Sequence, residues 1–441
     1  MLRWLLVVAA VTGILIYAIN RDIHYEKAYN GDLRNRVTGS RMIKDGRSPY
    51  FYKWKTGDGL RYYDPGNFDS VRPSNMTSTP VLYRLLSPLV EQPEARISEY
   101  WLVIEYLMLG AITLFAFLTA PTTARRQAVV LVFGAVLLTN GWKEHTANGQ
   151  TYLCIPFFAM LFLVFWKKKD HPANAILAGC AAACLILIRV NTLLFFPPFW
   201  LLVQTHPRRW WLFFCIPMAL FGGWALTSTH ERGLWRDYFS NVNEAIRINQ
   251  NLHPAIQHND PDPRYPRWEG IDTLEADHYM KTLPAKIYSE NGNFFVLFQG
   301  VFHRQLSVAT MGWLSFGGIG LLALLFYFRC RPFEAQDTPW VAIFGFCLFM
   351  IADLFSPVYR HQYYTVQWIL PLMLAATQLS PRKKAGYGLL LLCLLLWCFH
   401  LPFLKMQNTL AEYGILAVLL AMALDLRTFR TQNPPPVSLP K

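Results

Sequence analysis

Apolar runs long enough to cross a lipid bilayer recur along this chain and constrain its fold more than any other feature. Hydrophobic residues make up 53% of the 441 residues and charged residues only 16%, against about 25% charged residues in ordinary globular domains. A helix satisfies every backbone polar group internally and crosses the hydrocarbon core with about 20 apolar residues. The sequence therefore predicts an all-α polytopic membrane protein and disfavours a soluble enzyme, a disordered scaffold or a secreted disulfide domain.

About twelve membrane-spanning helices are predicted. The first is the N-terminal run LRWLLVVAAVTGILIYAI, which is too long for a signal-peptide core. The others are expected at about 97–119, 127–139, 151–166, 173–187, 190–204, 210–226, 311–328, 339–353, 363–379, 386–402 and 410–424. Two long polar segments, 20–96 and 227–310, interrupt the series. Residues 1–425 are predicted to form one integral membrane domain, followed by a short tail at 426–441.

Lysine and arginine concentrate at alternate connections between these runs. The basic connections contain Arg125 and Arg126, Lys167 to Lys169, Arg208 and Arg209, and Arg382 to Lys384. Because cytoplasmic loops are enriched in Lys and Arg, both termini are predicted to be cytoplasmic and both long polar segments extracytoplasmic. Nearly all of the net charge of +13 falls on the inner side. The basic composition is therefore an orientation signal, and no nucleic-acid partner is predicted.

Polar and ionisable side chains converge on the predicted outer face from four separate connections. Two stretches, 25–43 and 234–248, mix apolar and polar residues at helical spacing and predict amphipathic helices on that surface. An ionisable group at the membrane boundary is costly without a partner, which makes it a functional candidate by default. Two structural alternatives stay open: an ordinary interfacial belt of basic and aromatic residues, and an Arg189 that extends from a helix end toward water. The candidates are Asp32, Lys143, His145, Gln150, Arg189, Asn191, Arg360, His361 and Tyr363.

Several common catalytic signatures are absent from the sequence. It contains no GxxxxGK[ST] phosphate loop, GxSxG elbow or HExxH metal motif. The eight cysteines lie in or beside apolar runs, without zinc spacing. No metal and no nucleotide-binding domain are predicted, so an activated substrate must be carried by a lipid or reside outside the cytosol.

Three stretches, in their order along the chain, resemble one family of membrane enzymes. They are GDLRNRVTGSRMIKDGRSPYFY, NGQTYLCIPFFAMLFLVF with the following IRVNTLLFFPPFW, and SPVYRHQYYTVQWILPLMLA. This order resembles the GT-C superfamily of glycosyltransferases, and most closely the glycosyltransferase family 87-like group of polyprenyl-phosphate-mannose-dependent mannosyltransferases. Three positions depart from the family pattern and leave the donor sugar open. Tyr152 stands where asparagine is usual, Arg189 where lysine is common, and Gln362 separates His361 from Tyr363.

The resemblance implies a GT-C-like bundle that moves a mannose-like hexose from a polyprenyl-phosphate donor to a glycan or glycolipid acceptor. It implies Asp32 as the general base of an inverting transfer, no metal or cofactor, and a bacterial inner membrane as the location. It also implies that donor phosphate and sugar are bound by Arg189, Arg360, His361, Lys143, His145, Gln150, Asn191 and Tyr363.

Two other functions are compatible with the same topology. Twelve spans with both termini inside are also typical of a transporter or a lipid flippase, although no paired repeat is visible and the polar residues lie outside the midplane. Another outer-face enzyme acting on lipid-linked substrates, such as an O-antigen ligase or polymerase, is a third hypothesis. Such enzymes are expected to have a longer late loop.

Overall fold

The structure is a computed structural model of a helical protein. It describes residues 2–26, 31–52, 56–63, 76–168, 171–249, 292–302, 304, 306–356, 360–380, 383–399, 401 and 407–426. Within these ranges the regular elements are all helices, without a β-strand, and the predicted all-α class is confirmed. Most of the predicted tail, with 64–75 and 250–291 of the two polar segments, lies outside the described residues.

The α-helices follow the predicted apolar runs closely. In chain order they are α1 Leu2–Glu26, α2 Gly31–Lys44, α3 Pro80–Leu86, α4 Glu94–Thr119, α5 Thr123–Leu138, α6 Asn140–Ala147, α7 Cys154–Trp166, α8 Pro172–Ile188, α9 Arg208–Thr227, α10 Thr229–Asn249, α11 Phe294–Phe302, α12 Val308–Cys330, α13 Thr338–Leu354, α14 Ile369–Thr377, α15 Lys384–Cys398 and α16 Gln407–Leu424.

The described residues include six helical segments long and apolar enough to cross a membrane. These are Trp4–His24, Glu94–Thr119, Arg208–Thr227, Val308–Cys330, Ala335–Leu354 and Gln407–Leu424. Shorter apolar helices are α7, α8 and α15. The chain is therefore a polytopic integral membrane protein, while the predicted number of twelve spans is not confirmed.

Two predicted spans differ locally from an α-helix. The run at 190–204 forms two 3₁₀-helices, Val190–Phe195 and Pro197–Thr205. Pro197 and Pro198 have no backbone N–H to continue α-helical bonding, which explains the break. The run at 363–379 begins with a 3₁₀-helix, Gln362–Trp368, and becomes α-helical only in α14.

Helix α13 occupies the centre of the bundle. Almost all of its side chains are buried, and it contacts the Val190–Phe195 3₁₀-helix, α14 and α16. The approach to the 3₁₀-helix is very close at Gly345, because a Cβ there would lie 2.3 Å from the Phe195 carbonyl oxygen. A residue without a side chain is therefore required at that crossing.

Both predicted surface helices are present and contribute to one apolar cluster. Helix α2 begins at Gly31, later than the predicted start at residue 25, and α10 covers the predicted 234–248. Met42, Tyr50 and Tyr83 from the first polar segment form an apolar cluster with Leu234 of α10. Polar contacts add to this packing: Ser48 donates to Asp237 at 2.8 Å, and Asn241 donates to the Met76 carbonyl at 2.8 Å. The two polar segments therefore form one layer over the helix ends.

A buried carboxylate ties α1 to this same end of the bundle. Asp22 is fully buried and accepts hydrogen bonds from Tyr106 of α4 at 2.7 Å and from the Trp142 indole of α6 at 2.9 Å. Arg21 forms an ion pair with it at 2.7 Å. These contacts fix the end of α1 and the short helix α6, which leads into the candidate site.

The close crossing at Gly345 gives a direct test of the fold. Gly345→Ala should push α13 away from the Val190–Phe195 helix and lower the free energy of unfolding by about 1–3 kcal/mol, the usual cost of overpacking. The matched control is Gly312→Ala in α12, where, apart from the adjacent backbone of the same helix, no heavy atom of the described residues lies within 4 Å of the added Cβ. Thermal unfolding in detergent measures both. Equal melting temperatures for the two variants would contradict the crossing.

Candidate functional site

The start of α2 places Asp32 at the junction between the surface layer and the helix bundle. Asp32 lies in the first turn of α2, where the helix dipole favours a carboxylate. The next residue, Leu33, donates its backbone N–H to the Asn148 carbonyl at 3.2 Å. This bond joins the beginning of α2 to the loop that follows α6, and Asp32 is left half-buried.

Gln150 connects Asp32 to a buried arginine. Its side-chain amide donates to Asp32 Oδ2, and its Oε1 accepts from Arg36 Nη2 at 2.5 Å. Its backbone carbonyl accepts from the Trp101 indole at 3.2 Å. Because Gln150 is fully buried, these bonds fix the orientation of the Asp32 carboxylate. The sequence prediction included Gln150 but missed Arg36, which lies one helical turn beyond Asp32 on the same helix.

Gly149 explains why a Gly-Gln pair stands at this point of the chain. Its φ is +56°, a left-handed conformation that glycine adopts without a steric penalty. A Cβ here would also lie 2.5 Å from Leu33 Cβ. The Gly149 carbonyl accepts from Arg36 Nη1 at 3.2 Å, so the glycine lets the loop approach α2 closely enough for Gln150 to reach Asp32.

His145 lies behind this loop and is completely buried. Its Nε2 accepts the Leu153 N–H at 3.3 Å, and its Nδ1 lies 3.1 Å from Glu105 Oε1. Burial and the nearby positive charge of Arg36 lower the pKa of His145 to about 3. A neutral ring with an accepting Nε2 carries its proton on Nδ1, facing Glu105. His145 and the buried Glu105 of α4 therefore form a pair behind the Asp32 loop.

A row of aromatic rings runs alongside Asp32. His361 stacks on Tyr363 with centroids 4.7 Å apart, and Tyr363 stacks on Tyr364 at 5.3 Å. Tyr152 lies against Tyr364 at 3.9 Å. Burial lowers the pKa of His361 to about 4, while the negative charge of Asp32 opposes that shift. His361 is thus a neutral hydrogen-bonding group near Asp32 at pH 7.

A network of four charged side chains lies at the other end of this row. Arg189 donates from Nε to Asp353 Oδ1 at 3.0 Å. Arg360 forms ion pairs with both Asp353 and Glu412. The guanidinium groups also lie over the ring of Tyr364, Arg189 at 5.3 Å and Arg360 at 5.0 Å from its centroid. The structure therefore joins Arg189 to Arg360, although 171 positions separate them in the sequence.

The remaining predicted residues lie nearby on different elements. Lys143 is half-buried on α6, and Asn191 is exposed in the Val190–Phe195 3₁₀-helix. Roles for all the predicted site residues stay predictions. Asp353 and Glu412 were missed, although a signal existed: both are acidic residues inside apolar runs, where an ionisable group is costly without a partner. Within the described part of the chain, no three His, Cys, Asp or Glu side chains form a group that could hold a metal ion.

Comparison with known proteins finds one protein family that matches part of the chain. Residues 80–258 match the sequence profile of Glycosyltransferase family 87, which bears out the predicted resemblance to that family. No curated protein sequence matches the chain significantly.

Two solved structures show a weak similarity to the chain. One is the archaeal oligosaccharyltransferase AglB from Archaeoglobus fulgidus in complex with an inhibitory peptide and a dolichol-phosphate, with a TM-score of 0.40, 12% identity, and coverage of 96% of this chain and 58% of that one. The other is the Archaeoglobus fulgidus oligosaccharyltransferase tethered to an acceptor peptide, with a TM-score of 0.41, 12% identity, and coverage of 96% and 57%. The chain thus spans less than two thirds of either protein, and neither likeness carries an argument about function.

The lowered pKa of His361 predicts a pH dependence of stability. The folded-state pKa of about 4 lies below the value of about 6.5 for an unfolded histidine, so the unfolded chain binds the extra proton first. Stability should therefore fall as the pH drops from 6.5 toward 4. His361→Gln should remove about 1–2 kcal/mol of that loss, seen as a smaller drop in melting temperature between pH 7.5 and pH 4.5. The exposed His230→Gln is the control. If His361→Gln loses as much melting temperature between pH 7.5 and pH 4.5 as the wild-type protein does, the lowered pKa of His361 is disproved.

Proposed function

Starting from the match of residues 80–258 to glycosyltransferase family 87, we propose that the chain transfers a mannose-like hexose. The donor is a polyprenyl-phosphate sugar, and the acceptor is a glycan or glycolipid. The observation that supports this most directly is the placement of Asp32. A half-buried carboxylate stands at the start of a surface helix and is oriented by Gln150, and the row of aromatic rings runs from beside it to the arginine-containing network.

Asp32 acts as the general base in this proposal. It accepts the proton of the acceptor hydroxyl as that oxygen attacks C1 of the donor sugar. The C1–O bond breaks on the opposite face, the polyprenyl phosphate leaves with the electron pair, and the anomeric centre is inverted. Gln150 donates to Oδ2, so Oδ1 is the oxygen that takes the proton.

Cations and hydrogen-bond donors stabilise the leaving phosphate. Arg189 supplies positive charge from a partly exposed side chain, and charge-assisted hydrogen bonds to phosphate are among the stronger ones in proteins. His361 is neutral near pH 7, so it donates a hydrogen bond without contributing charge. Gln150 and His145 act from inside by holding the Asp32 loop. The other groups proposed to contact donor sugar or phosphate are Lys143, Asn191 and Tyr363.

The proposed reaction takes place on the extracytoplasmic side of a bacterial inner membrane. The distribution of Lys and Arg supports this orientation, with both termini in the cytoplasm. A lipid-borne donor then reaches the site from the outer leaflet, and the acceptor approaches through the layer formed by α2 and α10. No metal or cofactor is part of the proposal.

The general-base assignment predicts the effect of Asp32→Asn. The amide keeps the shape and can still bond Gln150, but it cannot accept the proton, so the transfer rate should fall about a hundredfold or more. Purified protein in liposomes is assayed with a panel of polyprenyl-phosphate sugars, followed by glycan analysis. Asp58→Asn is the matched control, because Asp58 is also an outer-segment carboxylate and accepts a bond from Tyr52 at 2.8 Å.

The outcomes of this assay separate the hypotheses. Full activity in a folded Asp32→Asn protein would eliminate Asp32 as the base. Wild-type protein that forms no product from any donor, but takes up substrate into vesicles, would favour the transporter alternative.

A further inference from the structure

Four segments of the chain contribute one charged residue each to a linear network of ion pairs. Arg189 follows α8, Asp353 ends α13, Arg360 precedes the Gln362–Trp368 helix, and Glu412 belongs to α16. Asp353 pairs with both arginines, through Oδ1 to Arg189 and Oδ2 to Arg360. Glu412 pairs with Arg360 alone among these four. Two positive charges thus balance two negative ones.

Arg360 is fully committed to this network. Its Nε donates to Glu412 Oε2 at 3.2 Å, its Nη2 to Glu412 Oε1, and its Nη1 to Asp353 Oδ2. Only 2% of its side chain is exposed. The Trp368 indole donates to Glu412 Oε1 at 2.7 Å and holds that carboxylate in place. An anion could contact Arg360 only by displacing one of its carboxylates.

Arg189 is held differently. Its Nε and Nη2 both bond a single oxygen of Asp353, which leaves Nη1 outside these two bonds. The rings of Tyr152 and Tyr364 lie 5.3 Å from its guanidinium carbon and constrain its plane. Its side chain is 22% exposed, so an anion can approach it while the bonds to Asp353 stay intact.

These contacts divide the two arginines by role. Breaking a buried ion pair by removing one partner leaves an uncompensated charge and costs several kcal/mol, so a ligand gains little by separating Arg360 from its carboxylates. A ligand at Arg189 adds a charge-assisted bond to a guanidinium that is already oriented.

Resting on the function proposed above, we propose that Arg189 contacts the donor phosphate, whereas Asp353, Arg360 and Glu412 are positioning residues. Asp353 orients Arg189, and the Arg360–Glu412 pair fixes Asp353 from the other side. Arg360, which the family resemblance implied as a phosphate-binding residue, acts through Asp353 and does not touch the donor.

Two charge-neutral double variants test this division. Arg189→Met with Asp353→Asn removes one positive and one negative charge, and so does Arg360→Met with Glu412→Gln. The first should weaken the binding of undecaprenyl monophosphate to the full-length protein in detergent by about tenfold or more. The second should weaken binding by at most about threefold, because Asp353 still bonds Arg189 and has lost only the arginine that fixes its other oxygen. Titration calorimetry measures the Kd without any transfer reaction.

A second pair of variants tests the same division of roles if the double variants fail to fold. Arg189→Lys and Arg360→Lys each keep the charge but lose the planar fork of donors. Arg189→Lys should weaken phosphate binding and leave the melting temperature nearly unchanged. Arg360→Lys should lower the melting temperature and leave the Kd within about threefold of the wild-type value.

The outcomes distinguish this inference from the proposed function. Equal losses of affinity at the two arginines, or unchanged affinity without Arg189, would overturn the division of roles while leaving the glycosyltransferase proposal intact. Wild-type protein that does not bind undecaprenyl monophosphate would refute the proposed donor class, and this inference with it.

Discussion

A charged side chain among apolar helices needs a partner of opposite charge or several hydrogen bonds, because no water replaces the lost hydration. This requirement determines the architecture around the candidate site. Asp22 takes donors from α4 and α6, and Asp353 takes two arginines. Each such group joins elements that are distant in sequence. These contacts hold the helices together at this end of the bundle.

Gln150 shows how the same requirement prepares a reactive group. The neutral side-chain amide of Gln150 lies between Asp32 and Arg36. It donates a hydrogen bond to the carboxylate and accepts one from the guanidinium, so the two charged groups are linked without a direct ion pair. The amide fixes the orientation of the carboxylate while leaving one of its oxygens outside the bond. The hydrogen bond that gives the buried Gln150 amide a partner therefore also orients the proposed catalytic base.

The sequence predicted the helices well because a long apolar run is a local property. It predicted fewer of the partners, because Arg36 reaches Gln150 across 114 positions and Arg189 reaches Asp353 across 164. Nothing local distinguishes the buried Arg36 from Arg34, which is more exposed and pairs with Glu94. The 3₁₀ geometry after residue 190 was also missed, although Pro197 and Pro198 signalled it. The hydrogen-bond and ion-pair partners of a side chain depend on how the helices pack, and this packing cannot be predicted from any single segment of the sequence.

Charge pairing on the proposed outer side also bears on recognition. Arg61 pairs with Glu91, Arg84 with Glu231, and Arg360 with Glu412. Opposite charges in a pair largely cancel at a distance, and salt screens exposed charges beyond a Debye length of about 8 Å, so these pairs attract anions only weakly from afar. A lipid phosphate must then be recognised at contact distance, by oriented donors such as those of Arg189. A donor that diffuses in the membrane plane already arrives at the right depth, so local geometry can replace long-range steering.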